Sequence, residues 1–416
     1  MNTIIRFLTQ HFYPDSSSTG NLLTELAVKL AEHGYKIEVY TSQPIDNIKK
    51  KANKYEEFKG IKIHRLASLR LNRNFRIGKA FNLGYYFLRI FIKELFSSHK
   101  KNNYLYFIVS NPPFLPLVGS LLTYLKKIEF IHLLYDIEPE EAISVGYLSE
   151  QRLYIKLWKW TNKFIFRKAA HTVVLSEQMV ETVKEKMRIA KAQSAKFDEI
   201  TIIDNWADGE YLKPVSYGEN EFIKENNLCG KFIINYCGNH GAMQKFDSIM
   251  TVANILKSDD LAFVFVGDGL KKKKMICEKE ANNLDNVYFF SYQNKEKLPH
   301  AQAASHLSIL HLEKEIEGYA FPSKLYSILA SGTPVLALCQ PNSRLANIIR
   351  DANCGYVCQH ENPQGIIDAI NDLKGNEEKI TLFGKNSRKY FEEHYTLEKA
   401  FEKYEVVFNR FIKKDN

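Results

Sequence analysis

Lys324 sits among residues that together suit an anion. In the run Glu317-Gly318-Tyr319-Ala320-Phe321-Pro322-Ser323-Lys324-Leu325, Pro322 fits a first helical position, Ser323 brings a hydroxyl and Lys324 a positive charge. The unpaired N–H groups of a first helical turn attract negative charge, so the segment reads as a phosphate-binding helix start. Ser327 rides on the same short helix, Ser331-Gly332-Thr333-Pro334 turns the chain, and Val335–Leu338 is an apolar strand. A second candidate, Gly238-Asn239-His240-Gly241-Ala242-Met243-Gln244-Lys245, follows the apolar run Phe232–Tyr236, where open α/β sheets bind ligands. Lys245 and Lys324 are the cations expected to neutralise a diphosphate. Ser18-Thr19-Gly20 caps a helix in this reading, and Gly20 lets a phosphate approach the backbone. Asp136-Ile137-Glu138-Pro139-Glu140-Glu141 supplies carboxylates after the strand Phe130–Leu134; they can accept a hydrogen bond from an acceptor hydroxyl or serve as general base. Asp136 and Glu138 also have the spacing of a Mg²⁺ or Mn²⁺ pair. Basic groups stand where such an ion would act, so no metal and no cofactor is expected.

The elements that must position these residues follow from periodicity. Ile4–Leu8, a loop to Gly20, and Leu22, Leu23, Leu26, Ala27 and Leu30 at helical spacing form a strand–loop–helix unit. Strands are expected at Ile37–Tyr40, Lys62–Leu66, Tyr104–Val109, Phe130–Leu134 and Thr172–Leu175, with helical patterns between most of them. The second half repeats the logic with Phe232–Tyr236, Phe263–Val266, Val287–Phe290 and Leu307–Leu312. Alternation of this kind predicts an α/β protein with two doubly wound parallel sheets. The predicted domains are 1–210, 211–395, and a terminal segment 396–416 whose helix starts near Leu397. Gly267-Asp268-Gly269 and the run Lys271-Lys272-Lys273-Lys274 are read as a loop and a solvated helix face, with no catalytic role.

The chain has 416 residues, 45% apolar and 25% charged, which suits two folded domains and excludes a disordered protein. Its six cysteines all lie after residue 228 and form no metal-type CxxC pair, so they read as reduced thiols. No secretory signal is evident at the start. The net charge of +9 arises in the first half: residues 1–210 carry 31 Lys+Arg against 22 Asp+Glu, and residues 211–416 carry 26 of each. Ile77–Phe96 and Leu153–Lys168 interleave aromatic and aliphatic residues with cations. Their charges exclude membrane-spanning helices, and the mixture suits helices lying on an anionic bilayer. The same interleaving argues against nucleic acid as the partner.

The Pro322–Pro334 segment, the Gly238 turn and the Asn205-Trp206-Ala207-Asp208 join resemble retaining glycosyltransferases of family 4 (glycosyltransferase group 1). More closely, they resemble the branch that builds bacterial surface polysaccharides. The resemblance spans nearly the whole chain. It implies the GT-B fold, two Rossmann-like domains facing across a cleft, with the acceptor on the first domain, a nucleotide-sugar donor on the second, and the terminal helix returning to the first. The usual pair of glutamates would fall at Tyr319 and Ser327, with Glu317 the nearest acid. Asn239 stands where relatives carry Arg, and Gln244 where they carry Lys. Carried over residue by residue, the donor site comprises Gly20, Gly238, Asn239, His240, Gln244, Lys245, Glu317, Phe321, Pro322, Ser323, Lys324, Leu325 and Ser327. Asp136 and Glu140 match the branch's Asp-x-x-Pro-Glu pattern and join Lys324 as the catalytic set. The expected activity is metal-independent transfer of a sugar, from a UDP-sugar by preference, to a lipid-diphosphate-linked saccharide in O-antigen- or capsule-type synthesis. The expected location is cytoplasmic, peripheral on the inner face of the cell membrane. A non-catalytic binder of sugar nucleotides or polyanions, and a nucleotide-sugar epimerase, are the other readings that fit this sequence.

Overall fold

The computed structural model describes residues 3–15, 17–44, 52–67, 76–97, 103–191, 199–241 and 243–412, without the side chains of 76–80 and 189–191. Of the basic stretch between Lys62 and Lys101, Arg70, Arg73, Lys100 and Lys101 lie outside the described residues, as do the side chains of Arg76 and Lys79. Ser16 and Ala242, in two of the candidate loops, also lie outside them.

The chain divides into two compact units. The first comprises Met1–Asp204, Gly318–Ala320 and Ala400–Asn416; the second comprises Asn205–Glu317 and Phe321–Lys399. The first boundary falls at Asp204 rather than at residue 210 for a local reason. Ala207 N–H donates to the Tyr395 carbonyl at 3.3 Å, and Arg388 donates to the carbonyls of Gly209 (3.1 Å) and Leu212 (3.0 Å). These bonds tie the stretch after Asn205 to the second unit.

The first unit holds eight strands: β1 (Thr3–Leu8), β2 (Lys36–Ser42), β3 (Tyr55–Phe58), β4 (Ile61–Leu66), β5 (Asn103–Val109), β6 (Phe130–Leu133), β7 (His171–Val174) and β8 (Ile200–Ile202). Their order is β3-β4-β2-β1-β5-β6-β7-β8, and every pairing is parallel except that of β3 with β4. Central strands such as β1 and β6 are buried at every residue, which is why they read as mainly apolar runs, with Thr3, Arg6 and His132 as buried polar exceptions. β3 was not foreseen, because Tyr55-Glu56-Glu57-Phe58 puts two acids on a short, partly exposed edge. Within the helix Leu397–Asn409, the residues from Ala400 onward belong to this unit. Tyr404 and Phe408 are buried and meet the Phe107 ring edge-on at 5.7 and 5.3 Å.

The second unit holds β9 (Phe232–Cys237), β10 (Leu261–Val266), β11 (Val287–Phe290), β12 (Leu307–His311), β13 (Val335–Leu338) and β14 (Gly355–Cys358). Their order is β11-β10-β9-β12-β13-β14, all parallel. The reversal of strand order falls between β9 and β12, so the C-terminal ends of those two strands border the crevice in which such sheets bind ligands.

Glu94, the single acid in the basic stretch, is fully buried on the helix Arg76–Phe96. Its carboxylate accepts from Arg6 Nη1 at 2.6 Å and from the Tyr106 hydroxyl, while Arg6 Nη2 reaches Glu38 at 2.6 Å. Truncating Glu94 removes the fully buried one of the two carboxylates that hold the Arg6 guanidinium and the acceptor of the Tyr106 hydroxyl. Glu94→Ala is therefore expected to lower unfolding free energy by about 3–5 kcal/mol, read in a urea titration. A change below about 1 kcal/mol would mean that Glu38 alone satisfies Arg6.

Candidate active site

In the second unit, β9 delivers Tyr236 and then Gly238, while the helix Lys324–Ala330 begins with Lys324. Gly238 has φ +143°, and a Cβ there would lie 2.1 Å from Lys324 Cε. Only glycine leaves that space for the lysine stem. Lys324 Nζ donates to the Tyr236 hydroxyl at 2.6 Å, sits 4.5 Å from the centre of the Tyr236 ring, and has no carboxylate partner among the described residues. Burial pushes its pKa down to about 8. An ammonium held this way, with no carboxylate counter-charge among the described residues, is suited to an anionic ligand group.

The loop after β9 is braced from the neighbouring strand. Gly238 N–H donates to the Val266 carbonyl (2.8 Å), His240 N–H to the Asp268 carbonyl (2.8 Å), and Lys271 N–H back to the His240 carbonyl (3.0 Å). Gly267, φ +138°, permits this approach, since a Cβ there would sit 2.0 Å from the Gly238 oxygen. Lys272 Nζ caps the carbonyls of Gly267 (2.7 Å) and Phe290 (3.1 Å). Gly267 and Lys272 were read as loop and solvated helix face; Lys273 and Lys274 are indeed exposed, and Lys272 is not. Only strand pairing distinguishes one lysine of that run from the next.

The remaining donor candidates separate by environment. Asn239 and Ser323 are exposed; His240, Phe321 and Leu325 are buried; Pro322 and Gln244 are partly buried. The His240 imidazole has no hydrogen-bond partner among the described residues, and burial, then Lys272 and Lys324, push its pKa down to about 4. Glu317 is partly buried and shifted upward by that burial. Ser327 Oγ donates to the Lys324 carbonyl at 2.9 Å, bonding within its own helix. Lys245 departs from its expected assignment as a diphosphate cation. Its Nζ lies 3.0 Å from Glu313 and 3.3 Å from Glu315, so the protein itself supplies its counter-charge.

In the first unit, the residues beyond β1, β5 and β6 enclose a cavity of about 470 Å³ lined by Gln10, His11, Asn82, Ser110, Asp136 and Glu138 among others. Asp136 bridges to Ala320 in antiparallel fashion, and Ile137 N–H donates to the Tyr319 carbonyl at 2.8 Å. Burial lifts the Asp136 pKa above the usual carboxylate range; Glu141 is lifted by burial and by Asp136 and Glu138. Glu140 does not join this group. It pairs with Lys186 and lines a separate cavity with Lys159, Asn162 and Tyr319. The sequence reading preferred Asp136 and Glu140 within the acidic loop, but the short helix Glu140–Ser144 turns Glu140 away. His11 is an addition that the sequence reading did not single out, and Glu138, read there as one of the acidic loop's carboxylates, lines this cavity with Asp136 where Glu140 does not. Gly20 lies within the helix Ser18–Glu32, and the cap is Ser17, whose Oγ accepts from Gly20 N–H at 3.2 Å.

Residues 219–390 match the family described as glycosyl transferases group 1. The chain is 26% identical over 298 residues to a probable glycosyltransferase of Pseudomonas aeruginosa, WbjE, covering 71% of this chain and 72% of that one. It is 25% identical over 181 residues to O-antigen chain mannosyltransferase C of Escherichia coli, covering 41% and 46% of the two. Among solved structures, HepE of Anabaena in complex with UDP-glucose superposes with a TM-score of 0.70 at 12% identity, over 98% of this chain and 100% of that one, a likeness of fold. The two parallel α/β sheets are those of GT-B glycosyltransferases, residues 219–390 are a glycosyl transferases group 1 domain, and the protein is a glycosyltransferase.

Proposed function

We propose that this glycosyltransferase is a retaining enzyme of surface-polysaccharide assembly. It moves a sugar from a nucleotide-diphospho-sugar, a UDP-sugar by preference, to a lipid-diphosphate-linked saccharide of O-antigen or capsule type. The observation that carries the reading is Lys324, a partly buried ammonium beneath Gly238 with no carboxylate partner among the described residues. In the transfer, the bond between the anomeric carbon and the leaving phosphate oxygen breaks. The acceptor oxygen bonds to that carbon on the same face, and its proton passes to the departing phosphate. Lys324 stabilises the charge that the diphosphate gains, a contribution that grows toward the transition state. The donor is bound by the second unit and the acceptor hydroxyl by the first, where Asp136 and Glu138 line the cavity. UDP as the nucleotude draws support from the UDP-glucose complex of HepE, and polysaccharide assembly from the name of the Escherichia coli relative.

A lipid-linked acceptor is favoured by the helix Arg76–Phe96, which lines the acidic cavity with Asn82 and Leu83. The same helix exposes Phe81 (62%), Leu88 (52%), Ile92 (44%) and Phe96 (81%) beside the exposed cations Arg89 and Lys93. The helix Leu153–Lys168 exposes Leu153, Leu157 and Trp160 in the same manner. Apolar side chains ringed by cations suit the interface of an anionic bilayer, and among the described residues no helix is long and apolar enough to cross one. The test is a donor panel read as release of UDP or GDP, with and without a polyprenyl-diphosphate saccharide in anionic vesicles. Acceptor-dependent UDP release is expected. Turnover that ignores every lipid-linked acceptor while glycosylating a soluble sugar would overturn the acceptor assignment.

A further inference from the structure

A second cluster at the C-terminal edge of the second unit's sheet has the side chains of a metal site. His311 ends β12, Glu313 follows two residues later, and His360 lies two residues past the end of β14. Parallel pairing of β12 with β13 and of β13 with β14 brings these distant positions together. One ligand atom from each residue lies within 4.8 Å of the others. His311 is buried, and neither of its ring nitrogens has a hydrogen-bond partner among the described residues. Its surroundings are the rings of Tyr236 (5.4 Å), Phe246 (5.0 Å) and, stacked on it, His360 (5.3 Å). Unpaired buried polar groups are rare, and an ion or ligand is a regular reason for one. The Glu313 carboxylate, equally buried, lies 3.1 Å from His360 Nε2 and 3.0 Å from Lys245 Nζ.

We propose that His311, Glu313 and His360 bind a divalent transition-metal ion of the Zn²⁺ type, with Lys245 releasing Glu313 and keeping Glu315. Two imidazoles and one carboxylate suit Zn²⁺, whereas Mg²⁺ and Ca²⁺ take oxygen ligands. Three protein ligands leave a fourth position for water or a ligand oxygen. Bonds of roughly 2.0–2.2 Å require the ligand atoms to draw together, which rotation of the side chains supplies. Lys245 has an alternative partner at 3.3 Å in Glu315, so the ion can replace the ammonium at Glu313 without leaving Lys245 uncompensated. This site is separate from Asp136 and Glu138, the pair weighed from sequence.

The experiment uses the full chain, stripped with a chelator and titrated with Co²⁺, followed by visible ligand-field absorption, with bound Zn²⁺ counted after dialysis. One equivalent is expected, with a four-coordinate spectrum lacking a thiolate charge-transfer band. His311→Gln and His360→Gln should abolish it, and Lys245→Ala should tighten it roughly tenfold, since the competing ammonium is gone. Absence of saturable uptake overturns the site, as does uptake that survives both histidine substitutions. A thiolate band would assign the ion instead to the exposed Cys229 or Cys277. Far-UV circular dichroism checks that each variant is folded. If His311→Gln is not, then His360→Gln and Glu313→Gln decide the question.

Discussion

Lys324→Ala is expected to lower kcat/KM for the nucleotide-sugar by roughly 10²–10³-fold, about 3–4 kcal/mol, with circular dichroism unchanged. The lysine offers the diphosphate a charge that no carboxylate among the described residues already neutralises, and burial of its stem keeps it in position. Gly238→Ala should cost a similar factor from the opposite side. Its Cβ would occupy the space of Lys324 Cε, and φ +143° strains any L side chain. The pH dependence gives an independent check with a definite sign. Burial lowers the Lys324 pKa to about 8 in the free protein, and a bound diphosphate raises it again by favouring the charged form. UDP affinity should therefore be flat below that pH and weaken as pH rises above it, by up to ~tenfold per unit until the pKa of the complex is reached. Lys324→Ala should flatten the profile. Calorimetric titration of UDP from pH 7 to pH 9.5 decides it; equal alkaline weakening in both proteins would place the titrating group elsewhere.

Asp136→Asn is expected to reduce acceptor-dependent kcat by about 10²-fold or more while leaving the Kd for UDP unchanged. The carboxylate lines the cavity of the first unit, and burial raises its pKa, so the ionised form that accepts a hydrogen bond from the acceptor hydroxyl gives way to the acid at higher pH than usual. Activity should accordingly fall on the acid side as Asp136 protonates, and the variant should lose that limb. Glu140→Gln provides the contrast. Glu140 is paired with Lys186 in another cavity, so its loss should act mainly on stability, with kcat changed by less than about tenfold. If the two variants behaved alike in kcat, the sorting of these carboxylates between two cavities would not bear on catalysis.

Much of the architecture was legible because it rests on local rules. Strands such as β1, β9, β10 and β13 are apolar along most of their length, and the helices between them keep a 3.6-residue period; together these dictate parallel sheets. The three strands that escaped, β3, β8 and β14, are short and only partly buried, so neither burial nor alternation marks them in the sequence. That Lys324 opens a short helix was legible for a similar reason, since a proline and a serine just before it form a contiguous pattern, although Pro322 precedes the N-cap Ser323 and does not occupy the first helical position.

The tertiary structure alone decided which charges are already neutralised. Lys245 and Lys324 were both diphosphate candidates in sequence, yet Glu313 and Glu315 claim the first, whereas the second donates to the Tyr236 phenol and meets no carboxylate among the described residues. Asp136 and Glu140 lie four residues apart, yet one short helix sends them to different cavities. Glu94 counted in the sequence only among the charges that exclude a spanning helix, and it is the buried partner of Arg6, which precedes it by 88 residues. His360 drew no attention, nor did His311, until the sheet order β12-β13-β14 brought the two rings together. Sequence determines which residues can carry charge or bind an ion. Whether that capacity is spent on the protein itself or left for a ligand depends on contacts between residues far apart in the chain, which strand order and register set and no local pattern encodes.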